Sequence, residues 1–203
     1  MDLEWILRHL QYLEQRGVDG VIPMGTNGEG PSLSLEERRQ IIDAVMAGRG
    51  SLFVLPGTGC PALPDTIAIS RYALEKGADG VLIVPPFYFK NISRRGLWDY
   101  FRAVFRALPS AGRVVLYNIP SLSGVEISDE LVDALLKEYP SQLVGIKDTS
   151  GRIEKTEHYV RRYQRLRIFT GGDELVAAAL QCGAAGSVSA AANVFPQLVR
   201  AVY

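Results

Sequence analysis

Residues 76–81 read KGADGV. They close an amphipathic stretch and open the apolar run VLIVPP at 81–86. A glycine just past a helical pattern is a common helix stop, because it adopts the left-handed conformation without strain. Two residues then suffice to turn the chain into a strand. The same design recurs as RGVDGV at 16–21 and CGAAGS at 182–187. Strand-like runs follow throughout: VIPMG, LFVLPG, VLIVPP, RVVLYNIP, LVGIKDT, RIFTGGD and GSVSAA. They place parallel strands at roughly 18–25, 52–57, 80–86, 113–119, 143–148, 167–172 and 186–190, with helical patterns between them. One helix start is marked by a capping box, Ser34 with Glu37, before the apolar spacing of Leu35, Ile41, Ile42 and Val45.

Strands alternating with helices define an α/β chain with a covered parallel sheet, either doubly wound or a (β/α) barrel. The glycine-rich loop GTNGEG at 25–30 has neither the GxGxxG spacing of a dinucleotide site nor the GK[ST] ending of a phosphate loop. The seven runs fall one short of the eight that a closed barrel needs. No linker, low-complexity segment or charge run divides the chain, so 1–203 reads as one domain.

The 203 residues carry 22 basic and 22 acidic side chains, and 47% are apolar. That balance supports a substantial core and gives no bulk attraction to nucleic acid or membrane. No apolar run approaches the roughly 18 residues of a membrane helix, and MDLEWILRHL places acids where a signal peptide carries basic residues. A cytoplasmic location is expected. Cys60 and Cys182 lie far apart, and His9 and His158 are isolated, so neither a disulfide framework nor a metal site is indicated.

In LVGIKDTSG at 143–151, strict alternation groups Leu143, Gly145, Lys147 and Thr149 on one face and Val144, Ile146 and Asp148 on the other. Packing Val144 and Ile146 against helices turns Lys147 inward, with Gly145 leaving room beside it. An inward amine is a nucleophile for a carbonyl; the alternative is a lysine reaching solvent from a strand end. The same alternation turns Tyr117 inward, where a phenol can carry protons. Thr26 and Asn27 follow the first strand, and Asp173 and Glu174 follow the sixth, at the C-terminal strand ends where barrel chemistry gathers. Each also has a plainer reading, as core aromatic, turn residue or acid pair at a helix start.

Together GTNGE, PPFY, YNIPSLSG, GIKDTSG and TGGDE, in this order, resemble the dihydrodipicolinate synthase / N-acetylneuraminate lyase family of pyruvate-dependent class I aldolases. The resemblance implies a (β/α)8 TIM barrel, here lacking the first strand and the C-terminal helical extension. It implies a Schiff base on Lys147, proton shuttling by Tyr117, and capture of the pyruvate carboxylate by Thr26 and Asn27. It places Thr149, Gly172, Asp173 and Glu174 among the substrate-binding residues, and sends Tyr88 into the site of a neighbouring subunit of a homodimer or homotetramer. Pyruvate and an aldehyde are the implied partners; no cofactor or metal is required. The synthases carry an arginine where this chain has Leu122, which offers a carboxylate no donor. The lyase and 2-keto-3-deoxy sugar-acid aldolase branches, or a 4-hydroxy-2-oxoglutarate aldolase, therefore fit better than the synthase. The other readings are a non-catalytic keto-acid-binding barrel remnant and a metal-dependent aldolase using Asp173 and Glu174.

Overall fold

The computed structural model describes residues 2–203. Helices and strands alternate as α1 (Leu3–Glu14), β1 (Gly20–Val21), α2 (Leu35–Gly48), β2 (Phe53–Val54), α3 (Leu63–Glu75), β3 (Val81–Ile83) and α4 (Arg94–Ala107). They continue as β4 (Val114–Asn118), α5 (Pro120–Ser123), α6 (Asp129–Glu138), β5 (Leu143–Asp148), α7 (Ile153–Arg162), β6 (Arg167–Thr170), α8 (Val176–Gln181), β7 (Gly186–Ser187) and α9 (Pro196–Arg200). All seven expected strands are present, shorter than the runs that announced them. The three helix-stop glycines, Gly17, Gly77 and Gly183, have φ of 75°, 90° and 94°. At α2 both halves of the Ser34 and Glu37 capping box are made.

The strands are parallel and neighbour one another in chain order. β3 to β7 form one sheet and β1 pairs with β2; a bridge from Gly57 to Leu82 joins the two. The result is an open α/β barrel. β1 and β7 each lack a strand partner on their outer side among the described residues. The last residues span that interval: Tyr12 OH donates to Val194 O at 2.8 Å, and Arg200 pairs with Asp19 at 3.1 Å. The Ser187 N–H, on the free edge of β7, donates to Tyr203 OH at 2.6 Å.

The sheet separates two apolar clusters of unequal size. Outside, between strands and helices, lies a large core that includes Ile42, Ile69, Phe101, Leu116, Leu135, Ile146 and Tyr159. Inside are only Leu55, Leu82, Val115, Tyr117 and Ile119. Each fully buried side chain of this size contributes roughly 1.5–3 kcal/mol, so most apolar stabilisation comes from the outer layer and the inner face is free to carry polar groups. No helix among the described residues is long and apolar enough to cross a membrane.

One strand departs from strict alternation. Val114 faces Leu143, but Val115 faces Gly145, so Val144 is an extra residue in β5. This bulge sends Leu143 and Ile146 both into the outer core, while Val144 packs against the inner cluster. The faces expected for Leu143 and Val144 are therefore exchanged. From Gly145 onward the expected alternation holds.

Candidate functional site

Lys147 and Tyr117 are directly opposed across β4 and β5, and both point into the barrel. Lys147 is 7% exposed and Tyr117 5%. The amine stands 4.0 Å from the centre of the phenol ring, close enough for a cation–π contact when charged. Among the described residues Lys147 has no ion-pair partner, so no carboxylate competes with a ligand for it. Gly145 does not make the room expected of it: a Cβ there would meet the Arg167 carbonyl at 2.5 Å, the close approach of β6. Gly171 makes that room instead. A Cβ on it would lie 3.0 Å from Lys147 Cε and 2.0 Å from Thr149 Oγ1.

Thr26 enters from the loop after β1. Its Oγ1 lies 3.1 Å from Tyr117 OH, and either hydroxyl can donate. Within this loop Gly28 N–H and Gly30 N–H donate to Gly25 O, and Glu29 N–H donates to Thr26 O. The N–H groups of Thr26 and Asn27 have no backbone acceptor among the described residues. Adjacent free N–H groups at a turn form an anion-binding concavity. Two non-glycine residues bracket the loop in the left-handed region, Met24 at φ 59° and Glu29 at φ 52°; such strain persists only where the surroundings hold it.

Arg38 supplies much of that hold. It is 3% exposed, and it donates to Gly30 O, to Leu33 O at 3.4 Å and to Cys60 Sγ at 3.3 Å. Burial pushes the Cys60 thiol up, so its sulfur is a neutral partner. No carboxylate pairs with Arg38 among the described residues. Sequence reading missed this residue, whose signal was a charged side chain on the apolar face of α2.

Thr149 brings a buried hydroxyl with no hydrogen-bond partner, beside Lys147 and Gly171. Asp173 begins a 3-10 turn, Asp173–Leu175, and its Oδ2 accepts from Ala191 N–H at 3.0 Å. That fits the plainer reading of an acid at a helical start, and leaves its second oxygen and Glu174 facing the cavity beside Gly172. Tyr88 is 74% exposed and stacks edge-on against Phe89. Nearby, Lys90 Nζ donates to Phe87 O and Leu122 O, at 2.7 and 3.0 Å, tying these rim loops together. A cavity of about 1440 Å³ runs along the inner face and is lined by Thr26, Asn27, Tyr117, Lys147, Thr149, Gly172, Asp173 and Glu174. Every substrate-site residue expected from the sequence except Tyr88 thus borders one space. No metal-binding cluster exists among the described residues.

A parallel α/β barrel with an unpaired lysine and a tyrosine opposed on its inner face places this protein in the class of lysine-centred barrels. The chain belongs to the dihydrodipicolinate synthetase family, whose profile matches residues 1–203. It is 47% identical over 203 residues to an uncharacterized DapA-like lyase of Chloroflexus aurantiacus, covering all of this chain and 68% of that protein. It is 42% identical over 188 residues to a 4-hydroxy-tetrahydrodipicolinate synthase of Sorangium cellulosum, covering 92% of this chain and 61% of the relative. Among solved structures, YagE of E. coli K12, a family member in complex with pyruvate, superposes with a TM-score of 0.92 at 29% identity, covering 98% of this chain and 67% of its own. The chain thus spans 61 to 68% of the length of these two curated relatives.

Proposed function

We propose that this protein is a class I lyase that makes or breaks a carbon–carbon bond between pyruvate and an aldehyde through an imine on Lys147. The observation that carries the reading is the opposition of Lys147 and Tyr117 in one cavity, with the free N–H groups of Thr26 and Asn27 bordering it. In the synthetic direction the pyruvate carboxylate is held at Thr26 and Asn27. The unprotonated Lys147 amine attacks the ketone carbon to give a carbinolamine. Its hydroxyl takes up a proton and leaves as water, forming a protonated imine. That imine accepts the electron pair of a methyl C–H bond as the proton departs to base, giving an enamine. The enamine carbon then attacks the aldehyde, whose oxygen gains a proton through Tyr117, and water returns to release the product and Lys147. Cleavage runs the same steps in reverse, and no step needs a cofactor.

Leu122, 56% exposed on the rim, offers no charge, and so the aldehyde is a neutral hydroxylated one, oriented by Glu174 or the free oxygen of Asp173. The Sorangium relative is named a 4-hydroxy-tetrahydrodipicolinate synthase, and turnover of aspartate semialdehyde against glyceraldehyde decides between the synthase reading and this one. The protein works as a homodimer or homotetramer in the cytoplasm, with the exposed Tyr88 entering the neighbour's site. Light scattering of an active preparation tests the assembly, and a monomer would remove that role. For the chemistry, pyruvate followed by borohydride should leave one reduced adduct on the peptide containing Lys147. A folded chain without an adduct is a non-catalytic barrel, and an adduct on Lys137 or Lys155 would place the site elsewhere.

A further inference from the structure

We propose that Asn118 and Asp148 form a positioning pair that fixes the phenol of Tyr117 against the amine of Lys147. The inference rests on the lysine–pyruvate reading above and extends it to residues that touch no substrate. The register aligns Tyr117 with Lys147 and, one step on, Asn118 with Asp148. Because side chains alternate along a strand, each inward reacting residue is followed by an outward polar one. These two are 0% and 2% exposed. Asn118 Nδ2 donates to Asp148 Oδ1 at 2.8 Å, and Asn118 Oδ1 accepts from Ile127 N–H at 3.0 Å. Asp148 also accepts from Ser150 N–H at 3.2 Å, Ser150 Oγ at 3.1 Å and Thr156 Oγ1 at 2.8 Å. The pair is therefore tied to the chain before α6, to the loop after β5, and to α7.

Two features argue that this cluster specifies geometry and does more than fill space. First, Asp148 is satisfied by four neutral donors and has no cationic partner among the described residues. Burying a carboxylate so is a costly way to gain stability that an apolar pair would supply more cheaply. Second, the β4–β5 register shifts at Val144, and a one-residue slip of a strand moves every side chain to the other face. The Asn118–Asp148 bond lies downstream of the bulge, one residue from both reacting groups, and is available in one alignment only.

The test separates binding from proton transfer and needs no aldehyde. Pyruvate–borohydride trapping reports imine formation, and deuterium uptake into the pyruvate methyl group, followed by NMR, reports proton transfer in the imine. Asp148→Asn should slow deuterium uptake at saturating pyruvate by about 10²-fold, the effect of a misplacement near 1 Å, and leave the half-saturating pyruvate concentration nearly unchanged. The exchanged pair Asn118→Asp with Asp148→Asn rebuilds the cross-strand bond with donor and acceptor reversed, and should recover most of the rate. If Asp148→Asn is insoluble, Thr156→Val, which removes one donor to Asp148, should show the same split at about tenfold. Unchanged uptake, no recovery in the exchanged pair, or half-saturation rising in step with the loss of rate would overturn the pair while leaving the wild-type adduct intact. A wild-type protein that forms no adduct overturns the functional reading, and the pair with it.

Discussion

The two strand pairs that border the cavity are built in different ways. β4 and β5 share five aligned residue pairs and are pinned behind the sheet by Asn118 and Asp148. β1 and β2 share two and meet the rest of the sheet at one bridge. The first seam carries Lys147 and Tyr117, the pair proposed above to make and break the bond. The second carries the Thr26 and Asn27 loop, whose shape comes from strained residues at 24 and 29 and from a buried guanidinium. On the proposed reading, bond making is mounted on the longer, pinned seam and anion capture on the shorter one. The 3.1 Å contact between Thr26 and Tyr117 couples them.

The comparison breaks most completely at Lys147. Lys147→Arg keeps a cation on the same strand but should abolish the borohydride adduct, because a guanidinium does not deprotonate at working pH; any residual adduct would move the chemistry off this seam. Tyr117→Phe comes next. It should leave adduct formation in place and slow turnover by roughly 10²–10⁴-fold, the usual contribution of an acid–base group, as measured by steady-state kinetics.

The loop seam should answer differently. Thr26→Ala removes one hydroxyl and should raise the half-saturating pyruvate concentration by about tenfold, equivalent to one hydrogen bond of ~1.4 kcal/mol. If the two seams are coupled through that hydroxyl, its effect in a Tyr117→Phe background should be smaller, and a double-mutant cycle reads the difference. The mildest change is Ser34→Ala. Losing this cap costs about 1 kcal/mol, seen as a fall in Tm of about 2–4 °C in a chain this long, with adduct formation unchanged.

What the sequence made legible follows the same division. The parallel sheet follows from strands alternating with helices, and the inward aim of Lys147 and Tyr117 from period-two patterning, both local signals; the choice of a barrel over a doubly wound sheet came from the family resemblance. The capping box at Ser34 was equally local. What escaped was geometry made between distant segments. The bulge depends on how β4 and β5 align, so the faces of Leu143 and Val144 were exchanged. The glycine that makes room for the amine proved to be Gly171, on β6's trailing loop, because only the folded register brings it beside Lys147. Arg38 and the Asn118–Asp148 bond were hidden for the same reason: each polar residue is unremarkable alone and acquires meaning from a partner tens of residues away.

The single extra residue in β5 makes the protein's chemistry a matter of parity. Counted from Leu143, the amine stands at an even distance, and strict alternation would give both residues the same side of the sheet. In the folded chain they lie on opposite sides, because the bulge at Val144 inserts one odd step. A β5 of the same sequence in strict alternation, without the bulge, would keep every chemical group in the molecule, in the same order. With Leu143 held by the outer core, it would turn Lys147 toward the helices and Ile146 into the cavity. A catalogue of motifs could not tell the two strands apart, although one aims an amine into the cavity and the other would line it with an isoleucine.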